Sequence, residues 1–263
     1  MEILISIAIF IFGAIIGSFL NVVIYRYHSG QTLLGRSFCF SCRKELVWYE
    51  LIPILSFFIQ KGKCRHCQSK ISWQYPLVEI LTGMIFLLII SKYGFLISNW
   101  VNIIFYWIIF SILIIITFYD FRHKIIPDKL VYAFIILSFF FPIFQLGISN
   151  FNLEIWSYFL AGPVLALPLA LLWFVSRGRW MGFGDVKLVL GIGFLLGLSR
   201  GTASLLIAFW SGAIIGIGLI LISKKFKIKS EIPFAPFLIL GTLIVFLWNI
   251  DLKTLILDLP LLN

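Results

Sequence analysis

Residues 100–119 read WVNIIFYWIIFSILIIITFY, twenty consecutive positions without a charged side chain, and the next residue is Asp120. A helix of that length is about 30 Å long, the thickness of the hydrocarbon layer of a bilayer. The run does not alternate apolar with polar residues as a transmembrane barrel strand does, and inside lipid a helix satisfies all its own backbone amides. Seven similar runs lie to either side, at 3–24, 76–91, 130–147, 155–176, 186–198, 202–223 and 234–248. The run at 186–198 is the shortest, and its edges are the least sharply marked. The composition agrees. Apolar residues make up 61% of the 263 positions and charged ones 12%, about half the share in a soluble domain. This excludes a disordered chain, a secreted disulfide scaffold and an ordinary cytosolic enzyme. The predicted fold class is an all-α polytopic membrane protein of about eight transmembrane helices. No basic segment precedes the first run, so no removable signal peptide is expected.

The net charge of +10 would suit a nucleic-acid partner if the basic residues clustered on one face, but they lie in the connections between apolar runs. With the N-terminus outside, eighteen of the 21 Lys and Arg residues fall on inward connections, leaving only Lys92, Arg200 and Lys253 outside. This is the positive-inside pattern. It predicts both termini outside, membrane lipid as the surrounding partner, and no nucleic acid. The one sizeable insertion, residues 25–75, then faces the cytosol. At about 50 residues it is small enough to need a metal or cross-links to hold a fold. The expected division is therefore a first transmembrane helix (1–24), a cytosolic zinc-binding loop domain (25–75) and a seven-helix membrane domain (76–263). The spacing shows no internal repeat. Gly13-x-x-x-Gly17 and Gly212-x-x-x-Gly216 have the small-residue spacing of closely packed membrane helices.

All four cysteines lie in the insertion, as Cys39-Phe-Ser-Cys42 and Cys64-Arg-His-Cys67. Two such pairs can present four thiolates tetrahedrally, and a reducing cytosol disfavours disulfides. Cys39, Cys42, Cys64 and Cys67 are the candidate ligands of a structural zinc. Arg43, Lys44, Lys63 and Arg65 stand beside them to favour the thiolates, and His66 reads as a surface residue.

Among the 11 acidic residues, Asp120, Asp128 and Asp185 stand out, because the topology places all three at the inner membrane edge. Asp128 follows Pro127 and reads as the first turn of a helix, where a carboxylate is favoured. Asp120 closes one span and Asp185, in Gly182-Phe-Gly184-Asp185, opens another. Two carboxyls sharing a low-dielectric site divide one proton and activate a water between them. Gly182 and Gly184 lack side chains, which would let an extended substrate backbone approach. Asp185 also suits the competing role of a helix cap.

In their order along the chain these motifs resemble the type IV prepilin peptidase family, membrane aspartic proteases with a Gly-x-Gly-Asp motif. The resemblance runs through Gly17-Ser-Phe-Leu-Asn-Val-Val-Ile-Tyr-Arg26, the two cysteine pairs flanking Trp48-Tyr-Glu-Leu-Ile-Pro53, and Tyr75-Pro-Leu-Val-Glu79. It continues through Asp120 with Ile126-Pro127-Asp128, then Gly182-Phe-Gly184-Asp185, and ends at Glu231-Ile-Pro-Phe-Ala-Pro-Phe237. Phe40 stands where the family commonly has proline, and Ala235 where it has glycine. The resemblance implies catalytic Asp120 and Asp185 and a prepilin or pseudopilin substrate with a short basic leader. It implies cleavage at the cytosolic face of the bacterial plasma membrane, followed by N-methylation with S-adenosylmethionine. Methyl transfer follows from the resemblance alone, since the insertion has no glycine-rich nucleotide turn. Two other classes share features of this pattern. A presenilin-like intramembrane protease also carries Gly-x-Gly-Asp, and a non-enzymatic scaffold or transporter could use the aspartates as ion ligands.

Overall fold

The computed structural model describes residues 2–27, 31–33, 35–146, 153–222 and 232–257. The expected inner cluster of Lys224, Lys225, Lys227 and Lys229, together with Glu231 of the last motif, lies outside the described residues. The described helices are α1 (Glu2–Arg26), α2 (Leu55–Ile59), α3 (Gln74–Tyr93), α4 (Trp100–His123), α5 (Asp128–Leu146), α6 (Leu153–Ser176), α7 (Phe183–Ile222), α8 (Ala235–Trp248) and α9 (Leu252–Leu257).

Among the described residues, each of the eight apolar runs falls on a helix. The runs at 186–198 and 202–223 are two arms of the 40-residue α7, which breaks at Gly197, where φ is 77° and ψ 179°. Only a residue without a Cβ adopts that conformation at low cost. Among the described residues, five helices are long and apolar enough to cross a membrane by length and composition, on α1, α3, α4, α6 and α7. The apolar α8 has 14 residues, about 21 Å of helix. The chain is an all-α, multi-pass membrane protein. The short α9 had no counterpart among the predicted spans.

Two compact units divide the chain, Met1–Ile115 and Ile116–Asn263. In the first, α1 packs along α3. A Cβ built on Gly13 would lie 2.8 Å from the Gly83 Cα, and one on Gly17 would lie 2.7 Å from the Glu79 Cα. Both neighbours are backbone atoms, so the two helices touch main chain to main chain. Trp107 of α4 stacks on Phe86 of α3 at 4.6 Å between ring centroids and donates its indole N–H to the Phe86 carbonyl.

In the second unit α6, α5 and α8 pack around α7. A Cβ on Gly193 would meet the Gly162 Cα at 2.6 Å, and Gly241 of α8 lies against the Ser204 carbonyl. Gly212 and Gly216 do not repeat this. Their nearest neighbours are the Phe237 ring at 3.5 Å and the Ile232 side chain at 3.6 Å, ordinary contact distances. The expected close packing thus holds at Gly13 and Gly17, whereas in the second unit other glycines carry it.

Gly17→Val is expected to lower stability by about 1–3 kcal/mol, the usual cost of forcing extra carbons into a packed interface. Gly218→Ala, inside α7 where no atom lies within 4 Å, does not lower it and gains up to about 1 kcal/mol of helix propensity. Thermal unfolding of both variants in detergent would check the contrast.

Candidate active site and metal centre

Asp120 stands near the C-terminal end of α4, where a helix exposes carbonyls and offers a carboxylate no donor. Its partner comes from elsewhere in the second unit. The Ala235 N–H, at the first position of α8, donates to the Asp120 carboxylate. Asp120 is 4% exposed. Asp185 is the third residue of α7 and 7% exposed; it accepts a hydrogen bond from the Gly182 N–H just ahead of that helix. This is the reciprocal half of a capping box. The capping role is therefore present at Asp185, and it does not take the residue out of the site, because Asp120 and Asp185 are close enough to interact electrostatically. Both aspartates are fixed by backbone amides at helix starts.

The two glycines of the motif differ. A Cβ on Gly184 would lie 2.8 Å from the Ile126 Cβ, so the space beside this residue belongs to the segment between α4 and α5. Gly182 has more room, its nearest neighbour being the Asp185 Oδ2 at 3.8 Å. Asp128 begins α5, as its position after Pro127 suggested, and its Oδ1 pairs with Lys187 Nζ of α7 at 2.7 Å.

In the first unit the cysteines come together. Their four Sγ atoms all lie within 4.8 Å of one another, and the Cys39–Cys67 separation is 3.8 Å. Four sulfurs bound tetrahedrally at about 2.3 Å from a zinc lie about 3.8 Å apart, whereas a disulfide requires about 2 Å. The four thiols are free and suited to one metal ion.

Each pair sits in the same turn. Cys39 N–H donates to the Lys44 carbonyl, Arg43 N–H to Cys39, and Leu46 N–H to Ser37. In the second turn Cys64 N–H donates to Ser69, Gln68 N–H to Cys64, and Ile71 N–H to Gly62, all at 2.8–3.0 Å. The bridges Phe38–Glu45 and Lys63–Lys70 correspond, as do the positive φ values at Arg43 (61°) and Gln68 (57°). The two turns are thus a structural repeat that the spacing did not disclose.

The thiols are tuned by these turns. Burial opposes the Cys39 thiolate, yet the amides of Cys42 and Ser41 and the side chains of Ser69 and Cys64 bring it down to about 6. The Ser69 hydroxyl and amide lower Cys67. Cys42 receives the Lys44 amide, but burial and the neighbouring Cys39 and Cys67 outweigh it and push this thiol up to about 11. Three of the four basic neighbours have partners of their own. Lys44 Nζ lies 3.1 Å from the Nδ1 of the exposed His66, Arg43 stands over the Phe38 ring, and Arg65 stands over the Tyr49 ring.

These features define an integral-membrane protein with two interacting buried aspartates and a four-cysteine insertion. Residues 11–93 match the family described as "Bacterial Peptidase A24 N-terminal domain", and residues 107–217 match the "Type IV leader peptidase family". The chain is 33% identical to the prepilin leader peptidase/N-methyltransferase of Bacillus subtilis (strain 168) over 243 residues, covering 92% of this chain and 93% of that protein. It is 31% identical to the protein of that name in Legionella pneumophila, over 91% of this chain and 90% of the relative. For the Neisseria gonorrhoeae protein of the same name the identity is 29%, over 91% and 89%. No solved structure matches significantly. The chain belongs to the type IV leader peptidase family.

Gly184→Ala is expected to cost about 1–3 kcal/mol, because the Ile126 Cβ must give way to the new methyl group. Gly182→Ala meets only ordinary contacts and is expected to cost less, about 0.5–1 kcal/mol, the difference between glycine and alanine at a helix N-cap. A thermal melt of each variant separates the two positions.

Proposed function

We propose that the protein removes the short basic leader from type IV prepilins or pseudopilins at the cytosolic face of the bacterial plasma membrane, using Asp120 and Asp185 with one water. The observation that carries this reading is the electrostatic pairing of two buried aspartates, each fixed by a helix-start amide, in a chain of this family. Its relatives' names point to the same substrate class.

The geometry serves hydrolysis as follows. The ionised carboxylate takes a proton from the water while the oxygen attacks the scissile carbonyl carbon. The protonated carboxyl gives its proton to the carbonyl oxygen. Collapse of the resulting gem-diol breaks the C–N bond, and a proton passes to the departing nitrogen. The two groups act as one titrating pair. Gly182 is the glycine beside which an extended substrate backbone has room.

The accompanying topology is eight spans with both termini outside and the cysteine insertion and aspartates on the cytosolic side. The functional division is 1–24, 25–75 and 76–263. Cys39, Cys42, Cys64 and Cys67 hold a structural zinc, which leaves no open position for a substrate. The second activity is N-methylation of the newly exposed amine, for which S-adenosylmethionine supplies the methyl group when bound.

Asp120→Asn and Asp185→Asn are each expected to reduce leader removal by at least about a hundredfold. The N-terminal mass of a candidate pilin incubated with the protein in membranes reports this. Cleavage near the wild-type rate in either variant refutes the pair, and a cut inside the pilin's apolar helix favours the presenilin-like alternative. The zinc reading predicts about one zinc per chain by elemental analysis, lost in Cys64→Ser together with protease resistance of the insertion.

A further inference from the structure

The short helix α2 turns one aromatic ring inward and most of its apolar surface outward. Phe57 is buried, its ring lying against Gly62 and 4.8 Å from the Trp73 ring between centroids. Leu55, Phe58 and Ile59 are 59%, 55% and 66% exposed. Trp73, just ahead of α3, is 67% exposed, and its ring stands 6.4 Å from that of Phe58. Leu55 and Ile59 are one helical turn apart, so the four side chains form one patch. Single apolar residues at a surface are ordinary, whereas a contiguous patch marks an interaction site.

Two observations say what covers this patch. Trp73 opens a stripe that continues along α3 as Leu77, Leu81, Met84 and Leu88, the spacing of one helix face. All of these are exposed, while Val78, Thr82 and Phe86 of the same helix are buried. Because α3 is long and apolar enough to cross a membrane, the exposed stripe is its lipid-facing side. The level of α2 is fixed as well. Glu79 Oε2, in the second turn of α3, accepts the Ile54 N–H at 2.7 Å. Helical side chains lean toward the helix N-terminus, so Ile54 and the α2 that follows lie beside the first turns of the span. The amides of Ser56, Phe58, Gln60, Lys61 and Gly62 all donate to carbonyls within residues 52–62, and leaving water costs such a backbone little. The exposed Lys61 and Lys63 come next, with side chains long enough to reach headgroup phosphates.

We propose that α2 is an interfacial anchor whose partner is the lipid surface. Leu55, Phe58 and Ile59, with Trp73, enter the acyl-chain boundary of the leaflet in which α3 begins, and Lys61 and Lys63 meet its headgroups. A helix of five residues is too short to persist on its own hydrogen bonds, and burial of its apolar face supplies the missing stabilisation. The anchor leads directly into the second cysteine turn, since Gly62 accepts the Ile71 N–H and Cys64 follows. It thereby holds that turn close to the membrane. This reading needs α3 to span the bilayer and is independent of leader removal.

The test is photolabelling of the full-length wild-type protein in phosphatidylcholine vesicles whose lipid carries a diazirine on one acyl chain, close to the glycerol. Mass spectrometry locates the label. Leu55, Phe58 and Ile59, all within the tryptic peptide 45–61, are expected to be labelled alongside Leu77 and Leu81 of α3. A labelled α3 with an unlabelled peptide 45–61 overturns the proposal. Phe58→Asp combined with Ile59→Asp should cut the label at Leu55 at least about fivefold and leave that at Leu81 unchanged. Retention of the Leu55 label in that variant also overturns it. A second measurement identifies the occupant without disturbing the patch. Benzoylphenylalanine placed at Phe58, and separately at Ile59, is irradiated in membranes that contain a pilin. Addition of the mass of one phospholipid supports the anchor. A cross-link to the pilin or to a second copy of the chain, in place of lipid, assigns the patch to protein and refutes it.

Discussion

A carboxylate at the C-terminal end of a helix meets carbonyl oxygens of its own chain, which cannot donate. Asp120 is in that position, and everything at the aspartate site follows from the donor it finds. The first turn of α8 has amides without intrahelical acceptors, and the Ala235 N–H is the one that reaches Asp120. The composition of that turn fits the task. Pro236 has no N–H to compete, and its fixed φ suits a helix start, while the Phe234 carbonyl takes the amides of Phe237 and Leu238. Asp185 solves the same problem within its own helix start. Two helix beginnings thus do for two carboxylates what solvent would do at a protein surface.

Such a site requires helix backbones close together, and lipid supplies little drive for that because the tails are as apolar as the side chains. Close packing replaces it. Along α6, α7 and α8, glycines meet main-chain atoms of the next helix, and Gly184 lets the start of α7 lie against Ile126. The Lys187–Asp128 pair joins the beginnings of α7 and α5, and Lys187 also stands over the Tyr132 ring at 5.1 Å. The helix start that carries Asp185 is thus tied to that of α5 and to the segment leading from Asp120.

How far the sequence discloses this depends on whether the information is local. Long apolar runs identify each helix, because burial of backbone amides in lipid leaves a helix few alternatives. The join between two runs at Gly197 is harder to see, since a single residue decides whether a helix continues or bends. Cysteine spacing locates the thiol cluster, but the two turns share only their cysteines between SFCFSCRKEL and GKCRHCQSKI. Their repeat lies in hydrogen bonds and φ values, so side-chain comparison misses it. The Ala235–Asp120 contact spans 115 positions and involves a main-chain amide, for which no residue type is diagnostic. Gly184 shows the opposite difficulty. Its conspicuous place before Asp185 suggests room for a substrate, whereas Ile126 occupies that space.

In the first unit the two cysteine turns border a cavity of about 280 Å³ that α1 and α3 also line. Cys39 and Cys64, the first cysteine of each turn, line the cavity, while Cys42 and Cys67 are exposed. A metal held by all four thiols would tie the roof of the cavity at two points. An insertion of about 50 residues has too little apolar interior to hold such a roof without help. The floor is better anchored, because Asn21 and Glu79 belong to α1 and α3, where main chain packs on main chain. Glu79 also reaches up to the strained Ile54 ahead of α2, joining floor to wall. The contribution of such a metal would therefore be geometric: it would close a space whose other walls α1 and α3 already provide.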